Sequence, residues 1–311
     1  LLGAVLGTAA AIGPAIGAWM IAHFHWRMLF IANVPILAAS WLTQPPLDAL
    51  PRDVRARRSF DWIGSSLIGA ALVLLTLATR ANAPGIYVVA GIAAVILLIV
   101  CERRAAEPVL RLSLFRLRGF VTGAGVIATQ NFAMYSLLTL VPFAFSERAG
   151  GAQRLGVALT AMTATMAAAS PIGGWCVEWV GARIVVIAGG LIGAAGVAGL
   201  ARLGASAGLA QIALALLLVG VGIGLSTGPA QSVALTSVTR EQSGVASATV
   251  SMVRYLGAIT GTALLAITLA PGARPDRALW IFAGAFVASA ALGAAFTRDG
   301  RADGVESTRP V

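Results

Sequence analysis

The chain has 311 residues, 58% apolar and 11% charged, with a mean hydropathy of +0.88, a balance that excludes an ordinary soluble domain and sets the class as a polytopic membrane protein. Its formal net charge of +10 rests on 22 basic residues, all of them arginine. These lie between apolar segments and form no patch on a folded soluble surface, which excludes a nucleic-acid-binding reading.

Taken in chain order, the first apolar run covers residues 2–22 and has Gly3, Gly7, Ala10, Gly13, Pro14 and Gly17 within an arc of about 120°, at about 100° per helical residue. One face is thus a groove without side chains. It admits two readings: a tight helix contact, or a moving or sealing interface in which Pro14 loosens the backbone. Leu1 already lies inside this run with no charged segment before it, so no signal peptide is expected and the numbering starts inside an element. His23, Phe24, His25 and Trp26 read as an interfacial belt, since two imidazoles without a third ligand make a poor metal site.

A second span is expected over 28–45, followed by a loop at 46–61 that holds Arg52, Arg55, Arg57 and Arg58. Spans at 62–80 and 86–101 form a hairpin, closed by Ala81-Asn82-Ala83-Pro84-Gly85. A basic connector at 102–118 contains Leu110, Leu112 and Leu114 among Arg111, Arg116 and Arg118, and reads either as an amphipathic segment on the membrane surface or as a solvated loop. Further spans follow at 120–146, 156–177, 183–202, 209–230, 244–270 and 279–297, which brings the expected total to ten. The tail is 298–311.

With residues 46–61 on the cytoplasmic side, arginines 52, 55, 57, 58, 103, 104, 111, 116, 118, 183, 240, 298, 301 and 309 share that side. Arginines 27, 80, 148, 154, 202, 274 and 277 share the other, so the bias favours a cytoplasmic C-terminus. Cys101 and Cys176 both fall near cytoplasmic helix ends, where thiols stay reduced.

Ionisable groups inside spans are costly and mark function. No Asp or Glu lies deep in any span, and Arg254 is the one charge well inside a helix, on the side of Gly257 and Gly261. It reads as a cavity or coupling residue that meets a substrate anion or a carboxylate, or else as an arginine snorkelling toward an interface. Gln130, Asn131, Met134 and Tyr135 cluster in the middle of span 120–146 and are candidate cavity lining, as is Tyr255 beside Arg254. A membrane enzyme would need a nucleophile, metal set or paired carboxylates within the spans. Ser136, Ser170, Ser226 and Ser251 have no histidine near them, so no catalytic residue is expected.

Gly13-Pro14-xx-Gly17, followed by Trp26-Arg27-xx-Phe30-xx-Asn33-Val34-Pro35, resembles the antiporter motif of the fifth helix in the major facilitator superfamily, with Ala18 in place of the second glycine of the usual pair. The string is most similar to the 14-helix drug:proton antiporter branch, the EmrB/QacA type. Counted from a fifth helix, ten spans fit a 14-helix member, whereas a 12-helix member would leave eight. Gly174-xxx-Glu178-xx-Gly181-x-Arg183 resembles the superfamily's cytoplasmic loop motif, with Trp179 at a place usually basic. Glu107 to Arg118 is similar to the connector before the second six-helix bundle, and the Gly220 to Gly261 segment to the tenth and eleventh core helices.

This resemblance implies an all-α fold, helices 5 to 14 of a 14-helix transporter. Residues 1–45 would be the last two helices of the N-terminal bundle, 62–101 the additional hairpin and 119–297 the C-terminal six-helix bundle. It further implies proton-coupled efflux of hydrophobic or amphipathic molecules across the bacterial cytoplasmic membrane by alternating access. The proton gradient is the energy source and no cofactor is expected. Partners would be a small-molecule substrate, the bilayer and an adaptor protein of an efflux assembly. The coupling residues would lie in four helices before Leu1, so the chain is expected to be an N-terminally truncated fragment that does not transport by itself. Export of one metabolite, siderophore or self-made antibiotic is the alternative.

Overall fold

The computed structural model describes residues 24, 27–42, 62–78, 84–102, 112–145, 152–203, 208–239, 242–268 and 275–296. Gly3, Gly7, Gly13, Pro14 and Gly17, the two histidines, the 46–61 loop and the 298–311 tail lie outside these residues. Every regular element among the described residues is helical.

A single turn, α1 (Met28–Ile31), leads into α2 (Asn33–Leu42). The hairpin pair is α3 (Trp62–Ala78) and α4 (Pro84–Glu102), which pack on each other. A 3-10 turn over Leu112–Arg116 then precedes α5 (Arg118–Phe145). This turn is the described part of the expected connector; Leu114 is buried and the Phe115 ring meets Phe120 edge-on at 5.6 Å. The remaining helices are α6 (Ala152–Arg202), α7 (Leu209–Thr236), α8 (Ser243–Thr268) and α9 (Pro275–Ala294).

Local chemistry accounts for these boundaries. Pro84 and Pro275 stand at the first position of their helices, where a missing N–H leaves no bond unmade, and Asp276 complements the positive end of α9. The Gly208 N–H donates to the Gln211 side-chain oxygen at 3.3 Å, which closes the start of α7. Along the helices, the hydroxyls of Thr129, Ser226 and Thr249 donate to carbonyls one turn back at 2.8 to 2.9 Å, so they carry no free donor into lipid.

At 51 residues, α6 would be about 75 Å long if straight, more than twice the roughly 30 Å of a bilayer core. It breaks at Gly181, whose φ of 82° and ψ of 153° are open essentially to glycine alone. We call residues 152–180 α6a and residues 182–202 α6b. Among the described residues, five helices are long and apolar enough to cross a membrane, namely α5 to α9 with α6 taken as one. The 17 residues of α3 and the apolar stretch Val89–Leu98 of α4 are shorter.

Helix α7 packs along α6, α9 lies against α6 and α5, and α8 lies against α5. Close approach of backbones makes these seams, as expected where lipid removes the usual apolar drive. A β-carbon at Gly222 of α7 would stand 2.5 Å from the Gly189 carbonyl oxygen, and one at Gly193 would stand 2.6 Å from the Phe286 ring of α9.

Two apolar cores result. One joins Leu137, Leu140, Leu155, Met162, Leu200, Leu216, Phe282 and Phe286, and the other joins Phe120, Val126, Ile127, Val186, Ala230, Val250 and Phe296. Four of the buried polar side chains lie on α5, α7 and α9 between these two clusters: Gln130 and Asn131, Ser226, and Ser289.

Candidate functional site: a polar layer within the bundle

This layer is built one helix at a time. Gln130 and Asn131 of α5 are 0% and 7% exposed, so the structure turns both into the bundle and not onto an open face. Gln130 Nε2 donates to Ser289 Oγ of α9 at 2.9 Å, while its Oε1 is buried without a partner. Asn131 Nδ2 donates to the Ile127 carbonyl at 2.8 Å within its own helix. Both amides, expected as cavity lining, lie in the interior and donate a hydrogen bond there, which lowers the cost of burying them. Met134 is half-buried and packs on the first core, whereas Tyr135, next in sequence, is exposed.

A second polar group lies beside the second core, on α7 and α8. Gly257 and Gly261 of α8 press against the α5 backbone, where their β-carbons would run into the Ala128 and Phe132 carbonyl oxygens. Arg254 stands one turn before Gly257, half-buried, and Nη2 donates to Gln231 Oε1 of α7 at 3.1 Å. Its Nε is buried and has no hydrogen-bond partner. Near it in sequence on α8, Ser251 and Tyr255 are exposed, and a β-carbon at Gly228 of α7 would meet nothing within 4 Å. Polar exposed groups in the middle of membrane helices face water or protein and not hydrocarbon.

The loop motif sits at the break in α6. Gly174 and Glu178 are exposed, Arg183 is half-buried, and no ion pair joins Glu178 to Arg183 among the described residues. Gly181 is the hinge point itself, and Trp175 and Trp179 stack edge-to-face at 5.9 Å on the exposed side.

A model of the Major Facilitator Superfamily matches residues 1–262. The chain belongs to this superfamily. Membership sets it among multi-pass membrane transporters and not among enzymes. It is 29% identical over 262 residues to the uncharacterized MFS-type transporter YvkA of Bacillus subtilis, covering 82% of this chain and 58% of that one. Over 275 residues it is 27% identical to the tetracenomycin C resistance and export protein of Streptomyces glaucescens, covering 86% and 51%. Over 278 residues it is 30% identical to the multidrug resistance protein Stp of Mycobacterium tuberculosis, again covering 86% and 51%. The chain thus spans about half the length of the curated relatives it matches.

Sequence reasoning missed two members of the superfamily chain's polar layer. Gln231 carried a usable signal, an amide two residues after Pro229 inside an apolar span. Ser289 carried none, since a lone serine among alanines satisfies itself as easily as it serves a partner.

Proposed function

We propose that the protein takes part in proton-driven efflux of hydrophobic or amphipathic small molecules across the bacterial cytoplasmic membrane, by alternating access. In this reading α5 to α9 are the C-terminal six-helix bundle of a 14-helix drug:proton antiporter, and α3–α4 is its additional hairpin. The observation that carries it is the open polar face around Arg254, Gln231, Ser251 and Tyr255, since a rocking-bundle transporter binds its cargo between bundles near the middle of the membrane. The names of relatives agree in kind: multidrug resistance for Stp and export of tetracenomycin C for the Streptomyces protein.

Arginine placement supports a cytoplasmic C-terminus. On that side the α6 break with Gly174, Glu178, Gly181 and Arg183 would bias one conformation of the cycle over the other. The antiporter motif Gly3, Gly7, Gly13, Pro14 and Gly17 would seal the two bundles against each other, and an adaptor protein of an efflux assembly would receive the cargo. The Streptomyces relative, named for the export of one compound, also favours the narrower reading, export of a specific metabolite, siderophore or self-made antibiotic.

Dye efflux from an efflux-deficient bacterium tests this, with the protein expressed from its native locus. An amphipathic aromatic dye of one charge class or another, cationic, neutral or anionic, should leave cells faster than in the deletion strain, and a protonophore should abolish the difference. Equal dye retention in both strains for cationic, neutral and anionic dyes would sink the reading.

A further inference from the structure

We infer that the face around Arg254 is selective for anionic amphiphiles, molecules with a single carboxylate or comparable acid on an apolar body. The inference rests on the efflux reading and narrows its substrate class.

Charge is the first ground. Among the described residues, Arg254 is the one charged side chain in the interior of a membrane helix; the others stand at helix ends or beside the Gly181 break. Its hydrogen-bond partner, Gln231, is a neutral amide, so the pair keeps the full positive charge of the guanidinium. No Asp or Glu of the described residues lies at this level of the bundle: Glu102, Glu178 and Asp276 belong to helix ends or the α6 break.

Unused hydrogen-bonding capacity is the second ground. A guanidinium offers five N–H donors in a fixed fork. Nη2 is bonded to Gln231; the Nε without a partner is a buried atom closed to a ligand, so the capacity left for one lies on the terminal nitrogens. A carboxylate is the planar acceptor that matches such a fork with two parallel bonds, and the match strengthens where water is excluded. Gln231 fixes one edge of the guanidinium and thereby aims the rest.

Room for an apolar body is the third. Gly228, one turn before Gln231, would meet nothing within 4 Å if it carried a β-carbon. Ser251 and Tyr255, one turn apart on α8, are exposed next to the arginine, and the Tyr255 ring supplies a flat surface for a hydrophobic body. A cationic or neutral drug would leave Arg254 without its counter-charge, so the same face discriminates against it.

Energy transfer from tryptophan to a pyrene probe tests this with the purified protein in lipid nanodiscs, corrected by empty discs. The probes are 1-pyrenebutyrate, its neutral counterpart 1-pyrenebutanol and the cation 1-pyrenemethylammonium. Wild type should bind the carboxylate about tenfold or more tighter than the alcohol, and the cation weakest. Arg254→Gln should erase the preference and Arg254→Lys should keep part of it. Gln231→Glu leaves the arginine in place but gives it a fixed carboxylate, and should erase the preference as well. Equal affinities for carboxylate and alcohol in wild type, or a preference that survives both Arg254→Gln and Gln231→Glu, would overturn the inference. Equal wild-type affinities together with a lowered Tm in Arg254→Gln would assign the arginine to a carboxylate of another helix, which also overturns it. Dye efflux that persists beside such a result would leave the transport reading standing and remove the anion class alone.

Discussion

Helix α7 carries glycines of two opposite kinds six residues apart. At Gly222 a β-carbon would stand 2.5 Å from the Gly189 carbonyl oxygen and 2.6 Å from the Gly193 nitrogen, so the glycine is there to let α6b and α7 touch along their backbones. At Gly228 a β-carbon would meet nothing within 4 Å, and the neighbouring Gln231 reaches across to Arg254 of α8. A small residue in a membrane helix therefore marks either the tightest contact or open space. The first holds the bundle together, since in lipid only packing and hydrogen bonds do so. The second leaves a polar face for something else to fill.

The largest expected effect breaks the first kind. Gly222→Leu forces α6b and α7 apart, and overpacking of this severity costs about 3 kcal/mol; thermal unfolding of the purified protein should show a strongly lowered Tm or no folded protein. A native-like Tm would mean that the seam yields where the structure has it rigid. Next in size, Gly181→Ala puts a side chain on a backbone with φ of 82°, at a cost of roughly 1–3 kcal/mol. Because that position has nothing within 4 Å, the loss should come from backbone strain alone, and Gly181→Asn should recover little of it at this ψ.

A smaller effect separates the buried layer from the open one. A double-mutant cycle on Gln130→Leu and Ser289→Ala, read by unfolding, should give a coupling of about 0.6 kcal/mol, the size of typical hydrogen bonds between membrane helices. Zero coupling would mean that the two side chains do not share a bond in the folded bundle. Smallest of all, Gly228→Ala should leave the fold intact and raise stability by about 0.5 kcal/mol through helix propensity. A loss there comparable with Gly222→Leu would erase the contrast between the two glycines.

Much of the helical layout was legible in the sequence, because hydropathy and length respond directly to the solvent. The expected span at 209–230 starts with α7 and ends six residues before it, and that at 244–270 matches α8 to within two residues at each end. The expected boundary between 177 and 183 falls on the Gly181 break, where Gly174-xxx-Glu178-xx-Gly181 interrupts an otherwise apolar run. Arg254 was legible for the same reason: a charge amid apolar residues needs a partner or water. Its partner was not, since Gln231 is 23 residues away on another helix and no local pattern pairs them.

The polar cluster at 129–135 shows where local reading stops. Consecutive residues on a helix point in different directions, so Gln130 and Asn131 enter the bundle while Tyr135 leaves it. Composition alone makes all of them equally good candidates for a cavity.

By itself, the sequence determined that the chain is a helical, multi-pass membrane protein, where the helices from α5 onward run, and that Arg254 is exceptional. Those properties follow from transfer energies, which each residue carries into any fold. Only the tertiary structure decided which glycines close a seam and which leave a gap, which amides are bonded inside, and that Arg254 leans on Gln231. Those properties depend on what lies across from a residue, and an apolar medium gives no local rule for that.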